Sequence, residues 1–230
     1  MTKGRLPAVD VPSILADVAG LGPFFTLGSG RGERPLADPV PVRERIAHVG
    51  RALGGEERVA ASLAFQGFVA QLVSAPYAAA VLHSAMPVID PATAWWRRAD
   101  DGGWAVRTDA VDLAAAAALP ALLDGLVGPL VGVVRAQVPV AERLLWGNAA
   151  SAVAAAKRLL VVQRPEVACR AADVAAAVLA RGSFAGAGEL LPPREPDRVW
   201  TFRRRSCCLY YRVPASGGLC DDCVLVRRPG

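Results

Sequence analysis

Apolar residues recur along most of the chain at helical spacing, and proline and glycine mark where each run stops. Asp10 followed by Pro12 reads as a cap and a first-turn proline, so a helix is expected over 11–21. A second is expected over 56–73, where Val59, Leu63, Ala70 and Val73 return to one face. Pro76 reads as a restart that opens a further helix toward Met86. Residues 91–108 differ: Trp95 and Trp96, the turn sequence Asp101-Gly102-Gly103, and then Trp104 to Arg107 predict a hairpin. Asp109 or Asp112 is expected to cap the helices that follow, which run with a break at Pro120 to about Gln137. Pro139 opens another through Val162, and Pro165 opens the last, ending at Gly182. The alanine runs 114–118 and 175–177 favour helix and permit close helix approach.

Past Gly182 the pattern gives way to glycine, proline and arginine, which reads as a linker over 183–197. Residues 198–230 hold four of the five cysteines and two of the three tyrosines but few side chains able to form a core. So short a segment needs a staple or a metal to keep its shape. The expected fold class is mainly α (α+β): a helical region over 1–182 with a small β-hairpin, the linker, and a short C-terminal cysteine segment over 198–230.

Composition narrows the class. With 53% hydrophobic and 20% charged residues among 230, the chain is neither disordered nor collagenous nor a coiled coil. Its most apolar stretch, 111–134, contains Asp112, Asp124, Pro120 and Pro129. An Asp near the centre of a membrane span costs about 2.5–3.5 kcal/mol, so a buried helical region is expected there and no transmembrane segment. The N-terminus lacks the uninterrupted apolar stretch of an export signal, which points to a cytoplasmic chain. The net charge of +5 is concentrated at the end: Arg203, Arg204, Arg205, Arg212, Arg227 and Arg228 stand against Asp221 and Asp222. No nucleic-acid-binding motif accompanies this run, and nucleic acid is not an expected partner.

Cys207 and Cys208 are adjacent, and after eleven residues Cys220-Asp221-Asp222-Cys223 completes the set. A Cys-x-x-Cys turn lets two sulfurs reach one metal. Neighbouring side chains in extended chain point apart, so the adjacent pair meets a single tetrahedral ion only through a sharp turn. A centre with two irons relaxes that demand. The leading reading is a [2Fe–2S] cluster held by Cys207, Cys208, Cys220 and Cys223; Zn²⁺ stapling a non-enzymatic module that binds a partner protein or nucleic acid is the alternative. Disulfides suit a secreted chain. Four thiolates with two ferric irons and two sulfides leave about −2 of charge, so nearby arginines favour the reduced form.

Other features weigh less. Gly28-Ser29-Gly30-Arg31-Gly32 fails the dinucleotide pattern at Glu33, so reducing equivalents must come from a separate donor. His48 and His83 read as ordinary helix positions and Cys169 as a small buried hydrophobe. Trp95 and Trp96, with Trp104, offer either an aromatic floor for a bulky ligand or hairpin packing. Trp146 and Asn148 flank Gly147, read as a helical break, and are further candidate substrate contacts.

The run Arg204-Arg205-Ser206-Cys207-Cys208-Leu209-Tyr210-Tyr211-Arg212, followed by Gly217-Gly218-Leu219-Cys220-Asp221-Asp222-Cys223, closely resembles the C-terminal signature of the FhuF family of ferric-siderophore reductases. Leu144-Leu145-Trp146-Gly147-Asn148-Ala149-Ala150-Ser151 resembles that family's Trp-Gly-Asn segment, and the helical stretch 66–91 has its look. The resemblance implies a helical region that receives a ferric siderophore, of hydroxamate or catecholate type, and a C-terminal [2Fe–2S] segment ligated by the four cysteines. It also implies cytosolic iron release by one-electron reduction. One departure is an eleven-residue spacing between cysteine pairs where about ten is expected; the extra residue falls in the loop 214–218, where lengthening costs a few tenths of a kcal/mol or less. The chemistry is coherent: hard oxygen ligands hold Fe³⁺ tightly and Fe²⁺ far less well, so one electron opens the chelate.

Overall fold

The computed structural model describes residues 10–99, 103–109, 112–193, 201–214 and 218–226. Six helices form the body: α1 Val11–Ala19, α2 Pro39–Leu53, α3 Glu57–His83, α4 Leu119–Gln137, α5 Glu142–Gln163 and α6 Ala168–Leu179. Eight short strands complete it: β1 Gly28–Ser29, β2 Arg34–Pro35, β3 Ala85–Pro87, β4 Ala94–Arg98, β5 Trp104–Thr108, β6 Leu113–Ala115, β7 Gly188–Leu190 and β8 Phe202–Arg204. The class is mainly α with small sheets, as the sequence predicts.

Helix α1 starts as its sequence dictates, with the Asp10 carboxylate accepting from the Ser13 N–H at 2.8 Å and proline in the first turn. Helix α3 is the axis of the molecule. It is buried on nearly all sides, against α1, α2, α4, α5 and α6, rather than on the single face its apolar spacing suggested. It also runs unbroken through Pro76. That proline removes one i→i−4 hydrogen bond, yet both flanking turns are buried and packing holds the helix together. Helix α5 lies along α3, and the two make the most extensive helix pairing of the fold. Ser62 on α3 meets Asn148 within a buried run from Leu144 to Ala154 on α5 that is rich in small residues.

The hairpin is present, with β4 antiparallel to β5 (Trp96 opposite Val106) and β2 and β1 adding to its two edges in the order β1-β5-β4-β2. Residues 101 and 102 of the expected turn lie outside the described residues. The stretch after it departs from expectation. Leu113–Ala115 is a strand paired with β3, and the backbone N–H of Ala116 donates to the Ser84 carbonyl, so this part of the alanine run serves a sheet despite its helical propensity. The next helix has no aspartate cap, and Pro120 opens α4 instead of interrupting it.

Two helical segments, Glu57–His83 and Ala116–Gln137, are long and apolar enough to cross a membrane. Most of the first and nearly half of the second are buried inside this body. The region read as a linker is tied in as well: Phe184 is fully buried, and β7 pairs antiparallel with β8, extended by bonds from Leu191 to Thr201 and from Arg205 to Ala187. Residues 194–197 of that stretch lie outside the described residues.

Candidate metal centre

Strand β8 delivers the cysteine segment onto the α3–α5 seam, and a buried polar chain fixes it there. Arg204 is 1% exposed. Its guanidinium donates to the side-chain amide oxygen Oδ1 of Asn148 on α5. The Asn148 amide donates to the Ser62 carbonyl at 2.7 Å and to the Ser62 hydroxyl at 2.9 Å, and that hydroxyl donates to the Cys208 carbonyl at 2.7 Å. The loop thus closes from β8 through two helices back to the cysteine pair. A buried cation left without such partners would be strongly destabilising.

Helix α5 continues through Gly147, so no break occurs there. The glycine meets a different need. Ser206 sits directly against it, its hydroxyl donating to the Arg143 carbonyl at 2.9 Å, and a Cβ on residue 147 would run into the Ser206 oxygen. Trp146 is buried edge-on against Phe184, with ring centroids 5.2 Å apart. Trp146, Gly147 and Asn148 therefore form a dock for the cysteine segment and the turn before β7.

The sharp turn that adjacent cysteines require follows them at once. Leu209 adopts φ 66° and ψ 6°, a left-handed conformation rare for a bulky residue. Its N–H donates to the Cys207 sulfur at 3.3 Å. In the second half, the Cys223 N–H donates to the Cys220 carbonyl at 3.0 Å and the Leu225 N–H to the Cys223 sulfur at 3.3 Å. Arg204 joins the halves, its backbone N–H donating to the Asp222 carbonyl at 3.1 Å. The Cys208 and Cys220 sulfurs lie 3.3 Å apart and share a hydrogen bond. That contact, helped by the positive Arg204, lowers the Cys208 thiol to about 6, while Cys220 is pushed up by holding the shared proton and by burial. Burial raises Cys207, against which the Leu209 N–H acts. Cys208 and Cys223 are buried, whereas Cys207 and Cys220 are partly exposed. All five cysteines are free thiols, so no disulfide staples the segment.

Residues 204–225 match the family model of the FhuF 2Fe-2S C-terminal domain. Over this segment the chain is similar to that domain. Among curated proteins, none matches the chain. The FhuF domain is described by the iron–sulfur cluster it carries, and the side chains here fit such a group. Four thiols come from two turns, two of them accept backbone N–H bonds, and the buried Arg204 brings a positive charge together with an Nε that has no partner. An anionic centre with sulfide acceptors answers both. Among the described residues, no three His, Cys, Asp or Glu side chains surround a single point closely enough to hold one ion as they stand.

The other candidate contacts lie elsewhere. Trp96 is fully buried on Phe68, its indole N–H donating to the Leu36 carbonyl at 2.9 Å, and so presents no floor to a ligand. Trp95 is partly exposed beneath Arg31. Asn148 is fully buried and spent on Ser62 and Arg204. Gly28–Ser29 is an edge strand beside β5. His83 lies 2.9 Å from the Asp17 carboxylate, His48 is exposed on α2, and Cys169 is exposed instead of buried. Ser62 escaped the sequence reading, having no local signal because its partner is 146 residues away; Arg204 was read as a nearby charge, but not as a buried one.

Proposed function

We propose that this protein is a ferric-siderophore reductase that releases iron by one-electron reduction, with Cys207, Cys208, Cys220 and Cys223 holding a [2Fe–2S] cluster. The single observation that carries the reading is the pairing of the Cys208 and Cys220 sulfurs, 3.3 Å apart and one from each half of the four-cysteine set, in a segment matching the FhuF 2Fe-2S domain. The group supplies one-electron transfer. The chain supplies the rest: the Leu209 turn aims the adjacent pair, N–H bonds from Leu209 and Leu225 stabilise thiolate charge, and Arg204 offsets the negative charge that grows on reduction. No general acid, base or nucleophile is needed, because reducing Fe³⁺ to Fe²⁺ itself loosens hard oxygen ligands. The electron comes from a separate donor protein, and we place the reaction in the cytoplasm.

Anaerobically purified protein is expected to be reddish, to carry two irons and two sulfides per chain, and to return to its oxidised spectrum when the reduced form meets a ferric chelate. Replacing any of the four cysteines by serine should abolish the colour. A colourless protein with stoichiometric zinc sinks the proposal and favours the zinc-stapled module instead.

A further inference from the structure

Beside the cysteine segment lies a hollow of 190 Å³, and Cys220 forms part of its wall. Its other sides come from α3, through Gln66, and from α5, through Ser151, Ala155 and Arg158, with Arg204 and Asp222 at its base. The charges nearly balance, since Asp221 and Asp222 face Arg158 and Arg204. Ser151 is 1% exposed, and its hydroxyl is engaged with the Asp222 carboxyl. Larger hollows exist, of 740 Å³ between α2, α3 and α4, of 710 Å³ beside β5 and of 460 Å³ beside Trp146, Arg205 and Ser206, but no cysteine lines any of these.

We propose that the hollow at Cys220 seats one chelating arm of the iron chelate, with the remainder of the molecule over the surface outside. This rests on the reductase reading above. Pockets that enclose a drug-sized ligand measure roughly 300–1,000 Å³, so 190 Å³ takes a single hydroxamate or catechol group and not the whole. The iron-bound oxygens of such an arm carry negative charge and accept hydrogen bonds. The Gln66 amide and the Arg158 guanidinium are donors of the matching kind, while Ala155 offers an apolar wall to a ring or methyl group. An arm seated here rests against a half-exposed sulfur of the centre, so the metal comes close without a conformational change.

The experiment uses redox-inert gallium(III) chelates, one trihydroxamate and one tricatecholate, so that binding is read apart from reduction. Dissociation constants are measured on anaerobic, cluster-loaded protein. Ala155→Leu fills the hollow without touching a cysteine, and Gln66→Ala removes a donor. At least one chelate is expected to bind the native protein, with affinity falling tenfold or more in Ala155→Leu and three- to tenfold in Gln66→Ala while the visible spectrum is unchanged. A change of less than threefold in Ala155→Leu overturns the seat, as does the absence of binding by either chelate. Where Ala155→Leu fails to load, Gln66→Ala decides by the same threefold limit. Oxidation of the reduced protein by the corresponding ferric chelates is followed separately. If it proceeds while binding ignores both substitutions, the seat falls and the reductase stands; if no chelate accepts the electron, the reductase reading itself falls.

Discussion

Gly147 and Ser206 illustrate how one missing methyl group positions a metal segment. Gly147→Ala pushes a Cβ into the Ser206 oxygen, and overpacking of this kind costs about 1–3 kcal/mol, or roughly 2–4 °C of Tm per kcal/mol at this size. Ser206→Ala in the same chain removes the obstructing oxygen and should restore most of the loss. Thermal unfolding of the two variants checks the contact; equal Tm values for the single and double variants would disprove it. Arg204 carries a different expectation. Replacing it with Gln removes a buried positive charge from beside the sulfurs, and a unit charge at a few ångströms contributes on the order of 1–3 kcal/mol. The midpoint potential of the reconstituted protein should therefore fall by roughly 40–120 mV, read by spectroelectrochemistry. The cysteines were legible in the sequence because their spacing is itself the chelate. Arg204 was legible as a charge but not as a buried one, since its burial comes from Asn148, 56 residues away. Cys169 misled for the converse reason: apolar neighbours suggest burial, but its place on the helix surface decides.

Elements were legible where local chemistry agreed with packing. The capped start of α1 and the tryptophan-rich hairpin formed as their residues dictate. Pro76 and the alanine run before α4 did not, because the deciding terms were tertiary: burial of α3 on both sides of the proline, and the β3 edge waiting for a partner. Tyr77, one residue after Pro76, shows how firmly α3 is held. It is fully buried, and its hydroxyl donates to the Ala171 carbonyl of α6 at 2.5 Å. Tyr77→Phe removes that hydrogen bond and should cost about 1 kcal/mol at neutral pH. Burial also raises the Tyr77 hydroxyl above its ordinary value of 10.0. With the folded value above the unfolded one, its contribution is complete below about pH 10 and is lost as the pH climbs beyond. Chemical denaturation of native and Tyr77→Phe protein at neutral and alkaline pH should show the native protein losing more stability across that interval. Parallel losses would remove Tyr77 as the cause.

Across the molecule, the hydrophobic core draws on α1 to α6 and on the hairpin, and among the described residues it reaches the cysteine segment through Phe202 and the edge of Leu209. The mainly α class was therefore readable from periodicity, while the way the segment seats itself was not, because its hold depends on side chains from two distant helices. The same division predicts that stripping the metal centre anaerobically leaves the far-ultraviolet circular dichroism nearly unchanged and loosens residues 201–226, seen as faster amide exchange there. A collapse of helical signal on stripping would show that the body depends on the centre. The hydrogen bond from Ser62 to Cys208 spans 146 positions, and the last of the four thiols, Cys223, is translated long after the helices that frame it. Both framing helices thus precede all four cysteines along the chain, and insertion of a complete cluster has to wait until synthesis has passed Cys223.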